Sequence, residues 1–500
     1  MFPSVLPAHR KTATACFAGV FCGARVRSFT FRIKFLKIKS MRFFCYVLIV
    51  AVLGAIFFLI SVPRTIVVAP DGNAPLGDSP QSTTSRQVAA VNLPAVPEAL
   101  APTSTPPEPK ISPLADLPNQ PPLPNPPEVA RGIYVTGWSA GYAPRINSLI
   151  ALAKRAEFNA MVIDIKDFSG HVSYKTGLAE VAAGGAESEL RILQPNALIK
   201  KLHDAGIYVI GRITVFQDPI LAKTHPEWAL KNSTTGKTWT DRKGLAWMDP
   251  AAKPVWEYNL SIAKDALARG FDEIQFDYIR FASDGDLGSI GYPFWDQKTA
   301  RHKVIAQFFK FLRDGLSGAK ISVDLFGLSA VNADDLGIGQ VIEDAYKNFD
   351  YVSPMVYPSH FAAGFLGFQN PAKYPYEVVK YSMDHALARL VAERKAPASP
   401  ELQRGEQSAT STVSSTTIGD SRFAIGSKLR PWLQDFNLGA VYDAAMVNKQ
   451  IQATYDALLN PKNSSSSESS SSSTTYHLQP TNDYFGGWLL WDPANIYAQW

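Results

Sequence analysis

The sequence predicts an α/β fold over residues 131–500, a parallel (β/α)8 TIM barrel. Three observations predict it. Eight short, β-branched apolar runs alternate with longer segments in which apolar residues recur every three or four positions, and the 370 residues fit the size of such barrels. An open doubly wound sheet is the alternative, but no obvious glycine-rich phosphate-binding fingerprint supports it.

The elements follow one another in strand and helix order. The apolar runs predict strands at 132–137, 159–164, 207–216, 273–278, 321–326, 351–357, 430–435 and 487–492. The three- and four-residue spacing predicts helices at 146–156, 197–204, 254–269, 298–316, 335–348, 376–392 and 446–459.

The N-terminal tail carries the positive charge of this chain. Residues 1–42 contain nine basic residues and no acidic one. The whole chain has 49 basic and 44 acidic residues, so 40 basic and 44 acidic residues remain after position 42, which sum to −4. Since the net charge of +5 belongs to the tail, it does not indicate a nucleic-acid partner, and we expect none.

An uncharged apolar stretch of twenty residues follows at 43–62. At about 1.5 Å per residue it spans the roughly 30 Å apolar layer of a bilayer, which predicts a transmembrane signal anchor. The basic tail predicts a cytoplasmic N-terminus and an extracytoplasmic barrel at the bacterial cell membrane. A cleaved signal peptide is the alternative, although its apolar part is usually shorter. Met41 opens the segment MRFFCYVLIV, which resembles a natural start, so residues 1–40 also fit a mis-assigned extension.

Three low-complexity segments are predicted to lie outside the barrel core. Residues 63–130 form a proline-rich segment, with 16 of the 36 prolines at 69–130, which predicts a disordered, extended spacer. Residues 397–421 and 463–475 are polar, and the second has nine serines. Both follow a predicted helix and precede a predicted strand, so we expect insertions on the barrel face opposite the site.

Cysteine chemistry is excluded from the exported part. Cys16, Cys22 and Cys45 all lie in or before the apolar stretch. Residues 70–500 therefore have neither a disulfide nor a thiolate nucleophile, and no cysteine ligand for zinc.

The ends of the predicted strands are rich in carboxylates and aromatic rings. In a barrel these ends converge on one mouth. Paired carboxylates are the chemical groups of glycoside hydrolysis, and aromatic rings provide apolar platforms for sugars. The candidate residues are Trp138, Asp164, Asp167, Arg212, Asp277, Tyr278, Arg280, Asp324, Tyr357, His360, Gln434, Asp435, Trp491 and Asp492.

Motifs at these ends carry a resemblance to a known family. In chain order they are RGIYVTGWSAG, VIDIKDFSGHVSY, HDAGIYVIGRITVFQDP, HPEWA, WMDPA, EIQFDYIRF, SVDLFG, VSPMVYPSHF, RPWLQDF and GWLLWDP. From about Arg131 to Tyr497 the chain resembles a bacterial glycoside hydrolase family that was long classed as a domain of unknown function. The resemblance implies a (β/α)8 barrel, a polysaccharide or oligosaccharide substrate and no cofactor. Ala282 stands where the resemblance leads us to expect proline.

Similarity to barrel glycosidases with a strand-four aspartate nucleophile implies catalytic roles. Asp277 is the candidate nucleophile and Asp324 the candidate acid/base, with Tyr278 and Arg280 orienting Asp277. Adjacent strand ends can hold two carboxyls at the roughly 5–5.5 Å of a retaining mechanism. The alternative is structural: a salt bridge of Asp277 with Arg280, and Asp324 capping the next helix.

Structural alternatives also stay open for the remaining candidates. The two aspartates of strand two fit a hydrogen-bonded loop, Arg212 and Gln434 fit a polar layer inside the barrel, and the tryptophans fit core packing. Three residues are substitute acids: Asp164, Asp435 and Asp492. The histidines lack the close spacing of a metal site, so we expect no metal.

Two other function classes remain. Residues 137–141, GWSAG, match the nucleophile-elbow pattern of serine hydrolases, but they follow the first strand, before any strand could supply an oxyanion loop. A non-catalytic glycan-binding barrel would use the same aromatic rings. The sequence favours a membrane-anchored, extracytoplasmic glycosidase of an envelope or extracellular polysaccharide, and leaves the oligomeric state open.

Overall fold

The structure is a computed structural model that describes residues 115–395, 426–459, 483–497 and 499–500. The predicted anchor at 43–62 and the predicted insertions at 397–421 and 463–475 lie outside these ranges. Within them, the helices are too short or too polar to cross a membrane.

Eight parallel strands close into a barrel. Their neighbours follow chain order, and the seventh strand pairs with both the sixth and the eighth, which in turn pairs with the first. This closure confirms the TIM barrel and shows that the open doubly wound alternative is wrong. The strands are β1 Ala130–Val135, β2 Ala160–Lys166, β3 Tyr208–Thr214, β4 Glu273–Asp277, β5 Lys320–Phe326, β6 Tyr351–Met355, β7 Lys428–Leu429 with Trp432–Gln434, and β8 Gly487–Trp491.

Alternating side chains divide the interior into two apolar layers. Outward residues such as Ile274 and Phe276 of β4 join the large core between strands and helices. Inward residues such as Tyr134 of β1 and Trp432 of β7 form a second cluster inside the barrel. Both faces of each strand are therefore buried, which explains why the strands read as continuous apolar runs.

The helices cover the barrel, and most begin and end within three residues of the prediction. In the described residues they are α1 Gly137–Gly141, α2 Ala143–Arg155, α3 Ala179–Ala183, α4 Pro195–Asp204, α5 Pro219–Thr224, α6 Lys253–Arg269, α7 Arg301–Gly315, α8 Ile342–Tyr346, α9 Pro375–Lys395 and α10 Ala444–Leu458.

Two element boundaries differ from the prediction. The helix predicted at 335–348 shrinks to α8, because Gly337 and Gly339 adopt positive φ angles of 66° and 86° that end helical geometry before Ile342. Strand β7 is interrupted at Arg430 and Pro431, where proline has no N–H to donate to a neighbouring strand.

The end of the proline-rich segment docks on the barrel. Asp116 accepts hydrogen bonds from the backbone N–H groups of Asn196 and Ala197 at 3.0 Å each, so it caps the first turn of α4 from 80 residues away. The backbone N–H of Leu123 donates to Asp272 at 2.6 Å, and Leu123 packs against the inner cluster. Residues 115–129 are thus part of the folded unit, contrary to the predicted spacer, whose remainder at 63–114 is outside the described ranges.

Candidate active site

A cavity of about 460 Å³ opens where the carboxyl ends of β3 to β8 meet. Its walls combine two aspartates and two arginines with aromatic and apolar side chains. The lining residues are Arg212, Asp277, Tyr278, Arg280, Asp324, Phe326, Gly327, Leu328, Met355, Tyr357, His360, Phe361, Trp432 and Trp491. Both predicted catalytic aspartates and half of the twelve predicted substrate-binding residues are among them.

Arg212 is the centre of the charged cluster. Its guanidinium donates to Asp277 Oδ2 from Nη2 at 2.5 Å and to Asp164 Oδ1 from Nη1 at 2.6 Å. All three side chains are buried. The pairing follows from register, since Asp164 lies beside Arg212 on β2, and Asp277 lies beside Thr214 at the end of β4.

Asp277 and Asp324 lie close together. Arg212 Nε is 3.2 Å from Asp277 Oδ2 and 3.8 Å from Asp324 Oδ2. Because the two distances meet at one nitrogen, the two oxygens are at most 3.2 plus 3.8, or 7.0 Å, apart. This bound covers the roughly 5–5.5 Å of retaining glycosidases and only the short end of the 6.5–9.5 Å range of inverting ones.

The two aspartates have different surroundings. Asp277 accepts two N–H bonds from Arg212 on Oδ2 and one from its neighbour Tyr278 on Oδ1, which stabilise a carboxylate. Asp324 accepts one bond, from Trp432 Nε1 to Oδ1 at 2.7 Å, and its buried Oδ2 has no hydrogen-bond partner among the described residues. Burial, and then the charge of Asp277, raise the pKa of Asp324 well above its usual range.

The structural contacts that the alternative predicted for these two aspartates are wrong. Asp277 does form an ion pair at the strand end, but with Arg212 and not with Arg280. Asp324 bonds a tryptophan ring and caps no helix in the described part of the chain. Arg280 instead lies among aromatic rings, 4.6 Å from the ring centre of Trp247 and 4.8 Å from that of Phe326.

Aromatic rings make up much of the remaining wall. Trp491 stacks on Tyr134 with ring centres 3.8 Å apart and meets Trp432 edge-on at 5.3 Å. Tyr134 donates from its hydroxyl to Asp164 Oδ2 at 2.5 Å. Burial raises the pKa of Asp164, whereas its bonds to Arg212 and Tyr134 act in the opposite direction.

Tyr134 is a member of this network that the strand-end prediction missed. It lies inside β1 and three residues before the strand's predicted end, so a search of strand ends passes over it. Side chains alternate along β1, and Ile133 and Val135 lie in the outer core. This alternation is the signal that places Tyr134 on the inner face.

Polar groups on the opposite wall are free to bind. The buried hydroxyl of Tyr357 has no hydrogen-bond partner among the described residues. His360 lies against Tyr357 with ring centres 5.1 Å apart, and desolvation lowers its pKa. Tyr278 has a φ of +54°, a left-handed conformation that is uncommon for a residue with a bulky side chain.

Six predicted substrate-binding residues do not line the cavity. Most already bond the protein itself: Asp164 holds Arg212, Asp167 bonds Arg191 and Ser169, and Gln434 bonds Ser359 and Phe436. Trp138 lies on the outer surface, 57% exposed, under the guanidinium of Arg191.

The other two carboxylates, Asp435 and Asp492, point away from the cavity. Each follows an inward position, Gln434 or Trp491, and successive strand residues face opposite sides. Asp492 accepts bonds from Ala494 and Ile496 in its own turn, and Asp435 accepts one from Trp500. As substitute acids they therefore lie on the wrong side of their strands.

The described residues do not provide the geometry for a serine nucleophile or for a metal site. Ser139 of the nucleophile-elbow pattern lies in α1, does not line the cavity and has no histidine within hydrogen-bond distance. The described part of the chain holds no group of three or more histidine, cysteine, aspartate or glutamate side chains arranged to hold a metal ion.

A TIM barrel whose mouth holds two close carboxylates among aromatic rings has the architecture of a glycoside hydrolase. Comparison with known families agrees. The family described as "Putative glycosyl hydrolase domain" matches residues 132–422, and the chain belongs to it. The resemblance drawn from the motifs is thereby confirmed.

Many solved structures contain a similar chain, and three of them serve as examples. A hypothetical protein from Ruminiclostridium thermocellum is 38% identical, with 41% of this chain and 98% of that chain covered and a TM-score of 0.36. The PgaB (BpsB) glycoside hydrolase domain from Bordetella bronchiseptica is 12% identical, with 74% and 97% covered and a TM-score of 0.43. The α-galactosidase TtGalA from Thermus thermophilus is 16% identical, with 58% and 56% covered and a TM-score of 0.33. No curated protein matches.

Proposed function

We propose that this protein is a membrane-anchored, extracytoplasmic glycosidase that cleaves a cell-envelope or extracellular polysaccharide by a retaining, two-carboxylate mechanism. Asp277 is the nucleophile and Asp324 the general acid and base. One observation carries the proposal: two carboxyl groups at most 7.0 Å apart, of which one is held by a guanidinium and the other is buried without such a bond.

The first step uses the two aspartates in opposite protonation states. Asp324, whose pKa is raised by burial and by the charge of Asp277, is the group that holds a proton and delivers it to the leaving glycosidic oxygen. Asp277, ionised beside Arg212, attacks the anomeric carbon and forms a glycosyl ester. The bond to the leaving oxygen breaks as the ester bond forms, through an oxocarbenium-like transition state.

The second step reverses the role of Asp324. Having lost its proton, it takes one from a water molecule, whose oxygen attacks the anomeric carbon and releases Asp277. The product keeps the configuration of the substrate because each step inverts it once.

The cavity wall supplies contacts for a sugar ring. Trp491 and Trp432 present apolar faces and edges, as sugar C–H groups require. The unpartnered hydroxyl of Tyr357 and the ring nitrogens of His360 are available for sugar hydroxyls.

The location rests on the N-terminal sequence. The apolar stretch at 43–62 and the nine basic residues before it support an anchor with the barrel outside. Protease treatment of intact spheroplasts tests it: the barrel should be degraded while a cytoplasmic marker survives. Full protection of the barrel would contradict the location without touching the chemistry.

The catalytic proposal is tested by hydrolysis of a broad glycan panel with the full-length protein. Asp324→Asn should lower kcat on the order of 10²–10⁴-fold, and Asp277→Asn at least as much. Asp435→Asn is the matched control, since this buried carboxylate lies outside the cavity and should leave kcat within about twofold.

NMR of the first-formed anomer should show retention. Inversion would contradict the assignment of Asp277 as nucleophile. If glycans bind but are never cleaved, and Asp277→Asn leaves binding unchanged, the protein is instead a non-catalytic glycan-binding barrel.

A further inference from the structure

Arg280 is a buried cation without an anionic partner. Its side chain lines the cavity, and the residue is only 8% exposed. Among the described residues, no carboxylate oxygen lies within 4.0 Å of its nitrogens. Burial without a partner lowers the pKa of Arg280, so the protein holds this charge at a cost.

None of the three aspartates around Arg280 forms an ion pair with it. Asp277 pairs with Arg212. Asp241 accepts bonds from the backbone N–H groups of Lys243 and Leu245 and from Trp247 Nε1 at 2.9–3.0 Å. Asp284 lies nearby but beyond ion-pair distance. No carboxylate of the described residues therefore forms an ion pair with Arg280.

One edge of the guanidinium is open. Nη1 donates to the backbone carbonyl of Phe281 at 3.2 Å and to Ser283 Oγ at 2.9 Å. Nε and Nη2 have no acceptor in the described part of the chain, yet neither is among the fully buried unpartnered atoms. These two N–H groups thus form a fork that reaches open space.

The surrounding rings orient this fork. The guanidinium carbon is 4.6 Å from the ring centre of Trp247, 4.8 Å from that of Phe326 and 5.5 Å from that of Tyr278. Such contacts stabilise a cation and restrict the side chain to few rotamers. The binding edge is therefore preorganised.

Arg280 also stands between two cavities. With Tyr278 it lines both the catalytic cavity and a second one of about 260 Å³, whose other lining residues include Phe168, Lys243, Asp241 and Asp284. A group bound at Arg280 would therefore belong to a sugar at or next to the catalytic position.

We propose that Arg280 binds the carboxylate of an acidic sugar, so that the substrate is a uronic-acid-containing polysaccharide. The Nε and Nη2 groups match the two oxygens of a planar carboxylate in a bidentate pair. This inference rests on the proposed glycosidase function and deepens it, since it names the substrate class of the same site.

The test is a binding comparison that does not require cleavage. The full-length protein is titrated with oligogalacturonates and oligoglucuronates, with the same oligosaccharides after reduction of their carboxyl groups, and with sulfated neutral oligosaccharides. We expect at least one carboxylated oligosaccharide to bind at least tenfold more tightly than its reduced form. Arg280→Gln should abolish this preference, and Arg280→Lys, which keeps the charge but loses the fork, should retain part of it.

Lys310→Gln is the matched control for overall charge. This exposed lysine pairs with Asp314 on α7 outside both cavities, so the preference should persist in that variant. Equal binding of carboxylated and reduced forms, or a preference that survives Arg280→Gln in a folded variant, overturns the inference. Tighter binding of the sulfated sugars overturns the assignment of a carboxylate.

The outcomes separate the two proposals. Cleavage of neutral glycans without any acidic preference would remove this inference and leave the glycosidase function in place. A preference for acidic sugars that depends on Arg280, without cleavage, would support the inference and remove the glycosidase function.

Discussion

Replacing Trp432 by phenylalanine should shift the alkaline limb of the pH–rate profile. In the proposed mechanism this limb reports the loss of the proton from Asp324. Trp432 Nε1 donates to Asp324 Oδ1 at 2.7 Å and thereby favours the ionised form. Trp432→Phe removes the donor and keeps an aromatic ring in the inner cluster.

The size of the shift follows from the strength of that bond. A hydrogen bond to a charged group contributes about 1.5–3 kcal/mol, and 1.36 kcal/mol corresponds to one pKa unit. Since the protonated acid keeps a weaker bond to the same donor, we expect the lower part of this range. The alkaline limb of kcat/KM should therefore move up by about 1 pH unit.

The assay is a pH series of kcat/KM on whichever glycan the wild type cleaves. Trp491→Phe is the matched control, because Trp491 also lines the cavity but donates to no carboxylate among the described residues. Its alkaline limb should stay in place even if its kcat/KM falls. An unchanged or lowered limb in Trp432→Phe would refute the role of Asp324 as the acid.

Two further predictions concern stability. Burial, and then the charge of Asp492, raise the pKa of Asp435 from its ordinary 3.8 to about 7, so its contribution to stability is full below pH 3.8 and is lost as the pH rises through 7. In urea unfolding, the free energy of unfolding of the wild type should fall by at most about 4 kcal/mol between pH 4 and 8 because of Asp435, and Asp435→Asn should remove this part of the decrease. An equal decrease in the variant would contradict the raised pKa of Asp435. Asp116→Ala should lower the unfolding free energy by about 1 kcal/mol because α4 loses its cap, whereas a difference below about 0.3 kcal/mol would show that the cap is dispensable.

The strands could be read from the sequence because they are buried on both faces. Continuous apolar runs such as NAMVID and IYVIGRITVF mark β2 and β3, and the observed bounds differ from the predicted ones by at most two residues, apart from the break in β7. The helix predicted at 335–348 failed because its apolar spacing hid two glycines with left-handed backbones. Local conformation overrode the pattern there.

The site was predicted less completely than the fold. Strand-end position alone selected Asp277 and Asp324, but it also selected Asp435 and Asp492, which face outward. Counting alternate residues from an inward position such as Trp491 separates the two groups. The same alternation along β1 identifies Tyr134 as an inward residue, although it lies within the strand and not at its end.

The sequence by itself determined the order of strands and helices, since both depend on local periodicity and on the hydrophobicity of neighbouring residues. Only the tertiary structure decided which charges meet. Arg212 could have paired with any of several aspartates. It binds Asp164 and Asp277 because strand register places Asp164 directly beside it on β2 and places Asp277 two residues farther along β4, beside Thr214. The same geometry leaves Arg280 without an anionic partner among the described residues, because Asp277, the carboxylate expected to pair with it, is already bound to Arg212 of the neighbouring strand.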